Sequence, residues 1–271
     1  MPLIEANGIE LYYEIRGAGS PLILINGWGG NLSSWSSKMV DLLTEKHRVI
    51  MMDNRGTGRS SKPDIPYTMD MMVADTIAVL EAVGVDKAHV MGFSMGGIVA
   101  QAFGLKYPQK TLSLILCGTQ PGEDHRISSD PSVYADLAVI ANPLPGMTER
   151  NRTIKLLYLL YPTGYVKANL EALIKDETYE EYPTPSYALT RQSEAIAGFD
   201  SYDMLPEMSY PVLVMAGTED KLVLPENSKV LTDLILDATL VMIHGCGHGF
   251  LKQETEEAVW HILRFLDRVD N

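Results

Sequence analysis

The residue with the most chemical potential in this chain is Ser94, in the pentapeptide Gly92-Phe93-Ser94-Met95-Gly96. A serine hydroxyl is a weak nucleophile until a neighbouring base removes its proton as it attacks. Alone, Gly-x-Ser-x-Gly is common enough by chance to mean little, and a plain turn serine explains it equally well. Its surroundings change that balance. Ala88–Met91 reads as a short strand, and Gly97-Ile98-Val99-Ala100-Gln101 opens a helical pattern. A serine at such a strand-to-helix turn is held in a strained backbone conformation, and glycines two residues to either side let neighbouring chains come close. The helix amino terminus presents N–H groups and partial positive charge to an oxyanion. Given a base, a serine so placed can serve as a nucleophile.

Such a serine needs a base and the base an orienting carboxylate. Histidines stand at 47, 89, 125, 244, 248 and 261. His47 begins a strand pattern, His261 lies within a helix pattern, and His89 sits at the wrong end of its strand. His244 ends a strand, and His248 follows in a glycine-flanked loop at the rim where strands deliver catalytic groups. Glu219 and Asp220 are adjacent acids after the strand Pro211–Ala216; a solvated loop acid is the blander role, and it suits Glu219 better.

The elements that must hold these residues alternate. Leu3–Ala6 and Ile9–Ile15 flank Asn7-Gly8, a hairpin signal. Pro21–Ile25, Arg48–Met52, Ala88–Met91 and Thr111–Cys117 read as strands. Helical patterns run between them: one through Trp35, Met39, Leu42 and Leu43, one over Thr68–Val83, and one over Ile98–Tyr107. Continuous apolar strands between helices imply parallel pairing with helices on both faces. From about residue 121 to 206 the chain turns helix-like and proline-punctuated. The rhythm then resumes with Pro211–Ala216, Glu226–Ile235, Thr239–His244 and Glu254–Val269. The expectation is an α/β core over 1–120 and 207–271, interrupted by a helical insertion over 121–206.

With these motifs in order, the chain resembles the α/β-hydrolase superfamily over essentially its whole length. The resemblance is strongest to the small capped esterases and lactonases, enol-lactonases and acyl-homoserine lactonases among them. Asp53-Asn54-Arg55-Gly56-Thr57-Gly58-Arg59-Ser60 is similar to the family's Asp-x-Arg-Gly-x-Gly-x-Ser turn, and Asn26-Gly27-Trp28-Gly29-Gly30 to its oxyanion loop. Gly217-Thr218-Glu219-Asp220 resembles the acid loop and Gly245-Cys246-Gly247-His248 the histidine loop. The resemblance implies a mostly parallel central sheet with a helical cap. It implies Ser94 as nucleophile, His248 as base and Asp220 as its acid, in the family's chain order. It also implies an oxyanion hole built from the backbone N–H groups of Trp28 and Met95. Asn26 departs from the family's usual histidine, and Asp53–Ser60 reads as a structural turn.

Composition narrows the partners. The formal net charge of −13 repels phosphate backbones and anionic membrane surfaces. Cys117 and Cys246 have no metal-ligand spacing and read as reduced and buried. No secretory signal or apolar run of about 18 residues is present, so a cytoplasmic location is the default expectation. The mechanism needs no metal or other cofactor. The expected partner is a small ester or lactone with an apolar or acyl-bearing body, because Tyr134, Leu137, Ile140, Leu144, Met147, Leu156, Leu157, Tyr158, Leu160, Tyr161, Tyr165 and Tyr187 crowd the insertion, most as its core and some as pocket lining. Three rival uses of the fold remain: C–C hydrolysis of a dienone, cofactor-free perhydrolysis, and small-molecule sensing. Perhydrolase relatives often carry proline where this chain has Gly29. Epoxide hydrolysis and dehalogenation are disfavoured, since those relatives carry aspartate in place of Ser94.

Overall fold

A computed structural model describes residues 2–178 and 182–271, with the side chain of Thr178 excluded. Among the described residues an eight-stranded sheet runs in the order β1-β2-β4-β3-β5-β6-β7-β8. Its strands are β1 (Leu3–Ala6), β2 (Ile9–Arg16), β3 (Ser20–Ile25), β4 (His47–Met52), β5 (Ala88–Phe93), β6 (Thr111–Cys117), β7 (Val212–Gly217) and β8 (Ala238–Ile243). The pairs β1/β2 and β2/β4 are antiparallel, and every pairing from β4 to β8 is parallel. The Asn7-Gly8 turn joins the opening hairpin with φ of 52° and 76°, as the dipeptide predicts.

The apolar strands alternate between two cores, because successive side chains face opposite sides of a sheet. Ile23, Ile25, Ile50, Leu114, Leu116, Val212 and Val214 face one way, against α2 (Met69–Ala82), α3 (Met95–Lys106) and α8 (Glu226–Leu234). Leu22, Leu24, Val49, Met51, Ile115 and Leu213 face the other, against α1 (Ser37–Thr44), α9 (Phe250–Gln253) and α10 (Thr255–Asp270). In α10, Ala258, Val259, Ile262, Phe265 and Leu266 form the buried stripe expected of a helix lying on a sheet.

Two local expectations are corrected. Trp35 lies outside the first helix: Asn31 caps a short 3-10 turn over Leu32–Ser34, Ser36 then caps α1, and Trp35 is the extended link between them. Helix α3 starts at Met95, three residues before Ile98. The turn at Ser94 closes into a helix at once, with Gly97 N–H donating to the Ser94 carbonyl at 2.8 Å.

Between β6 and β7 the chain forms α4 (Pro131–Ala141), α5 (Glu149–Leu160), α6 (Thr163–Thr178) and α7 (Ser186–Ala197). Leu157, Tyr161, Val166 and Ile174 give this segment a small core of its own. Its two ends are pinned together where Ser201 N–H donates to the Pro121 carbonyl at 2.8 Å and Gly122 bridges Asp200. Among the described residues no helix is long and apolar enough to cross a membrane. Cys117 and Cys246 are both buried free thiols.

Candidate active site

Ser94 directly follows β5, and its backbone is left-handed, with φ 54° and ψ −118°. For a residue with a Cβ this conformation costs about 1–3 kcal/mol and persists only where its surroundings over-determine it. Here they do. Ser94 N–H donates to the Cys117 carbonyl at 2.8 Å, and the Ser94 carbonyl accepts from Gly97 N–H at 2.8 Å and from the Thr119 hydroxyl at 2.9 Å. The flanking glycines are sterically required. A Cβ on Gly92 would collide with the Gly96 carbonyl, and one on Gly96 with the carbonyl of Ile25 in β3. Met95 is the first residue of α3, where an amide has no intrahelical acceptor.

Asp220 follows β7 and His248 follows β8, so both reach the same carboxyl edge of the sheet. His248 Nδ1 lies 2.7 Å from Asp220 Oδ2, with the two side chains 2% and 0% exposed. The other oxygen of Asp220 accepts the backbone N–H groups of Leu222 and Val223, each at 2.9 Å. A buried carboxylate with three donors is fully satisfied, which removes the main cost of burying it. Glu219 is exposed and does not meet the imidazole. The Phe93 ring packs against the imidazole, tilted by 43° with centroids 4.9 Å apart.

The loop after β3 faces Ser94 from the other side. Gly27 and Gly30 close a turn, with Gly30 N–H donating to the Gly27 carbonyl at 3.2 Å. Gly29, with φ 71°, takes the turn position that favours glycine. The turn's own hydrogen bond leaves Trp28 N–H out. Asn26 ties the start of this loop on two sides: its side-chain amide donates to the Asn31 carbonyl, and its backbone carbonyl accepts from Asn54 Nδ2 at 3.0 Å. Asp53 accepts Leu32 N–H at 2.6 Å and Arg59 N–H at 2.7 Å, and so buttresses the far end of the loop. Burial raises the Asp53 carboxyl above its ordinary range, against the pull of those donors.

Ser94, His248 and Trp28 border one cavity of about 230 Å³. Leu137 and Ile140 from α4, Leu156 and Leu160 from α5, and Leu189 from α7 line it, with Phe93, Leu222 and Leu251 from the sheet side. The insertion therefore shares the cavity with Ser94. Of the apolar insertion residues noted in the sequence, Leu157 and Tyr158 pack within the segment itself, and Leu144 and Tyr187 are exposed. Arg152, Lys252, Thr184, Leu189 and Gln192 at or beside the cavity escaped the sequence reading. Gln192 had one usable signal: it falls on the stripe Ala188, Leu189, Gln192, Ala195, a polar residue among buried ones.

The geometry matches known hydrolases over nearly the full chain. The candidate carbamate hydrolase RutD of Azorhizobium caulinodans is 30% identical over 252 residues, covering 92% of each chain. A 2-hydroxy-6-oxo-6-(2'-aminophenyl)hexa-2,4-dienoic acid hydrolase of Metapseudomonas resinovorans is 29% identical, covering 98% of this chain and 90% of that one. The crystal structure of an enol-lactonase from Burkholderia xenovorans superposes with a TM-score of 0.85 at 26% identity, covering 98% of this chain and all of that one. Residues 20–255 match the model of the alpha/beta hydrolase fold, and the chain belongs to that family.

Proposed function

We propose that this protein hydrolyses a carboxylic ester or lactone through an acyl-enzyme on Ser94. The observation that carries this is the pinned left-handed serine bordering one mostly apolar cavity together with His248, whose Nδ1 is held by buried Asp220. In the proposed sequence the Ser94 hydroxyl adds to the substrate carbonyl as His248 takes its proton. Asp220 keeps the imidazole in the tautomer whose Nε2 is free to accept, and it stabilises the imidazolium. The Trp28 and Met95 amides receive the oxyanion. Collapse returns the proton to the leaving alkoxide. Water, deprotonated by the same imidazole, then adds to the acyl carbon, and the bond to Ser94 breaks as the imidazolium returns the proton to the serine oxygen and the acid leaves. Residues 121–206 act as the cap that selects the substrate.

At about 230 Å³ the cavity lies below the usual range of ligand pockets, about 300–1,000 Å³. That favours a short acyl chain or a lactone ring, an acyl-homoserine lactone with a short tail included. A second reading, C–C hydrolysis of a dienoic acid, is supported by the 29% identity to a hydrolase of that substrate class. Perhydrolysis is disfavoured by Gly29: its φ of 71° is outside the range of proline, and its N–H is hydrogen-bonded. The test is a panel of p-nitrophenyl esters, lactones, carbamates and dienones run against wild type and Ser94→Ala. The proposal expects ester or lactone turnover that Ser94→Ala abolishes. Turnover of dienones alone selects the second reading, and inertness on every substrate selects a sensing role.

A further inference from the structure

The loop that carries Trp28 is gripped by the insertion. Trp28 Nε1 donates to the Leu189 carbonyl at 2.9 Å. Gly29 N–H donates to Gln192 Oε1 at 2.8 Å, and the Gly29 carbonyl accepts the Thr184 hydroxyl at 2.8 Å. All of these partners lie between residues 184 and 192, more than 150 positions along the chain from the loop they hold. Gln192 is fully buried and uses both ends of its amide. Its Nε2 donates to the Arg55 carbonyl at 3.1 Å. Arg55 is itself fixed by a two-pronged ion pair to Asp75, with Nε–Oδ2 at 2.6 Å and Nη2–Oδ1 at 2.8 Å.

We infer that Gln192 is a positioning residue that orients the Trp28 amide toward the oxyanion, so that the insertion must be seated for the oxyanion hole to be complete. The inference rests on the reading of Trp28 as an oxyanion donor. Its physical basis is the number of free torsions. The indole is tied to Leu189, the Trp28–Gly29 peptide to Gln192 through its N–H, and the Gly29–Gly30 peptide to Thr184 through its carbonyl. The Gly27 carbonyl, which shares a peptide plane with Trp28 N–H, accepts Gly30 N–H, so both sides of Trp28 are held and its N–H keeps one direction. Without Gln192 the Arg55 carbonyl is left buried and unpaired, and the partly buried Gly29 N–H loses its acceptor. The turn then rotates to recover hydrogen bonds, because an unmet buried polar group is costly. The Trp28 amide rotates with it. A glutamine from the substrate-enclosing segment thereby couples enclosure to transition-state stabilisation, while direct contact with the substrate is left to its neighbours Leu189 and Thr184.

The test is steady-state hydrolysis of p-nitrophenyl acetate by the full chain, with Gln192→Met beside wild type and Ser94→Ala. An alkyl trifluoromethyl ketone supplies a second readout, because Ser94 adds to it to form a hemiketal oxyanion that occupies the hole. In folded Gln192→Met, kcat should fall about 10- to 100-fold with KM within about 3-fold. Affinity for the ketone should fall by the same factor as kcat/KM. A merely structural glutamine lowers the melting temperature and leaves kcat and the ketone affinity in place, and that result overturns the inference. If methionine prevents folding, Gln192→Glu keeps the length and an acceptor for Gly29 while losing the donor to Arg55. A kcat about 3- to 10-fold lower at constant KM then supports the inference, and an undiminished kcat overturns it. Loss of turnover in Ser94→Ala with normal kcat in the glutamine variants overturns the positioning role alone. Retained turnover in Ser94→Ala overturns the nucleophile reading and the positioning role with it.

Discussion

Asp220 gives one carboxylate oxygen to His248 Nδ1 at 2.7 Å and the other to the backbone of the loop that follows it, at Leu222 and Val223. The carboxylate is thus locked by its own chain before it orients anything, and the imidazole inherits that rigidity. Asp220→Asn keeps the shape, but its amide can turn an NH2 toward Nδ1 and select the wrong tautomer. We expect kcat on p-nitrophenyl acetate to fall about 10³-fold or more with KM little changed. Glu219→Gln, on an exposed side chain one residue away, should stay within about 2-fold of wild type. Equal losses in both variants would place the orienting acid elsewhere.

Gly29 is a second point of leverage. A Cβ there would lie 2.7 Å from Leu189 Cδ2, and the φ of 71° is unfavourable for any side chain. Gly29→Ala should cost about 1–2 kcal/mol of stability through the left-handed backbone, and more if Leu189 cannot move. Gly29→Pro goes further, since it removes the N–H that Gln192 accepts and demands a φ near −65°. We expect ester hydrolysis to be lost in Gly29→Pro with no gain of peracid formation, measured by bromination of monochlorodimedone in peroxide, acetate and bromide. Peracid formation by this variant would revive the perhydrolase reading.

Much of this site was legible in the sequence because its residues sit in short loops directly after strands. Ser94, Asp220, His248 and Trp28 each lie within five residues of a strand end, so the strand pattern puts them at one sheet edge, and the family resemblance singles out Trp28 and His248 there. Trp35 was misplaced because its apolar spacing with Met39 and Leu42 mimics a helix, while Asn31 and Ser36 divide the segment by capping. Gln192 and Thr184 were illegible for another reason. Their partners are backbone atoms of Gly29 and Arg55, which no side-chain pattern encodes, and the separation of 137 residues or more has no periodicity to read.

The Arg55–Asp75 pair anchors the turn that Gln192 leans on, and its side chains are 2% and 1% exposed. Asn7 Nδ2 adds a third donor to Asp75 at 2.9 Å, tying the opening hairpin to α2. Removing one partner leaves the other charge buried and unmatched, at a cost of about 3–5 kcal/mol. Asp75→Leu should therefore lower the melting temperature by roughly 10 °C, at about 2–4 °C per kcal/mol for a chain near this size. Scanning calorimetry reads the shift. A change of under about 2 °C would mean that the guanidinium finds water or another acceptor.

At the opposite end of the sheet, His89 is buried at the start of β5. Its Nδ1 is 2.8 Å from the Ser113 hydroxyl, and its Nε2 is 2.9 Å from Asp270 and 3.1 Å from the Ser20 hydroxyl. The His47 ring is its other titratable neighbour, 6.2 Å away between centroids. Burial lowers the His89 pKa below the ordinary imidazole value and outweighs the opposing pull of Asp270. The unfolded chain then takes up a proton before the folded one does. Stability is full above the unfolded value of about 6.5 and declines as pH falls from there toward the lower folded value. The melting temperature of wild type should thus drop between about pH 7.5 and 5.5. His89→Gln, which has no proton to gain, should flatten that slope even though its melting temperature at pH 7.5 is lower. An unchanged slope in His89→Gln would assign the acid sensitivity to other groups, with His47 and Asp270 the next to substitute.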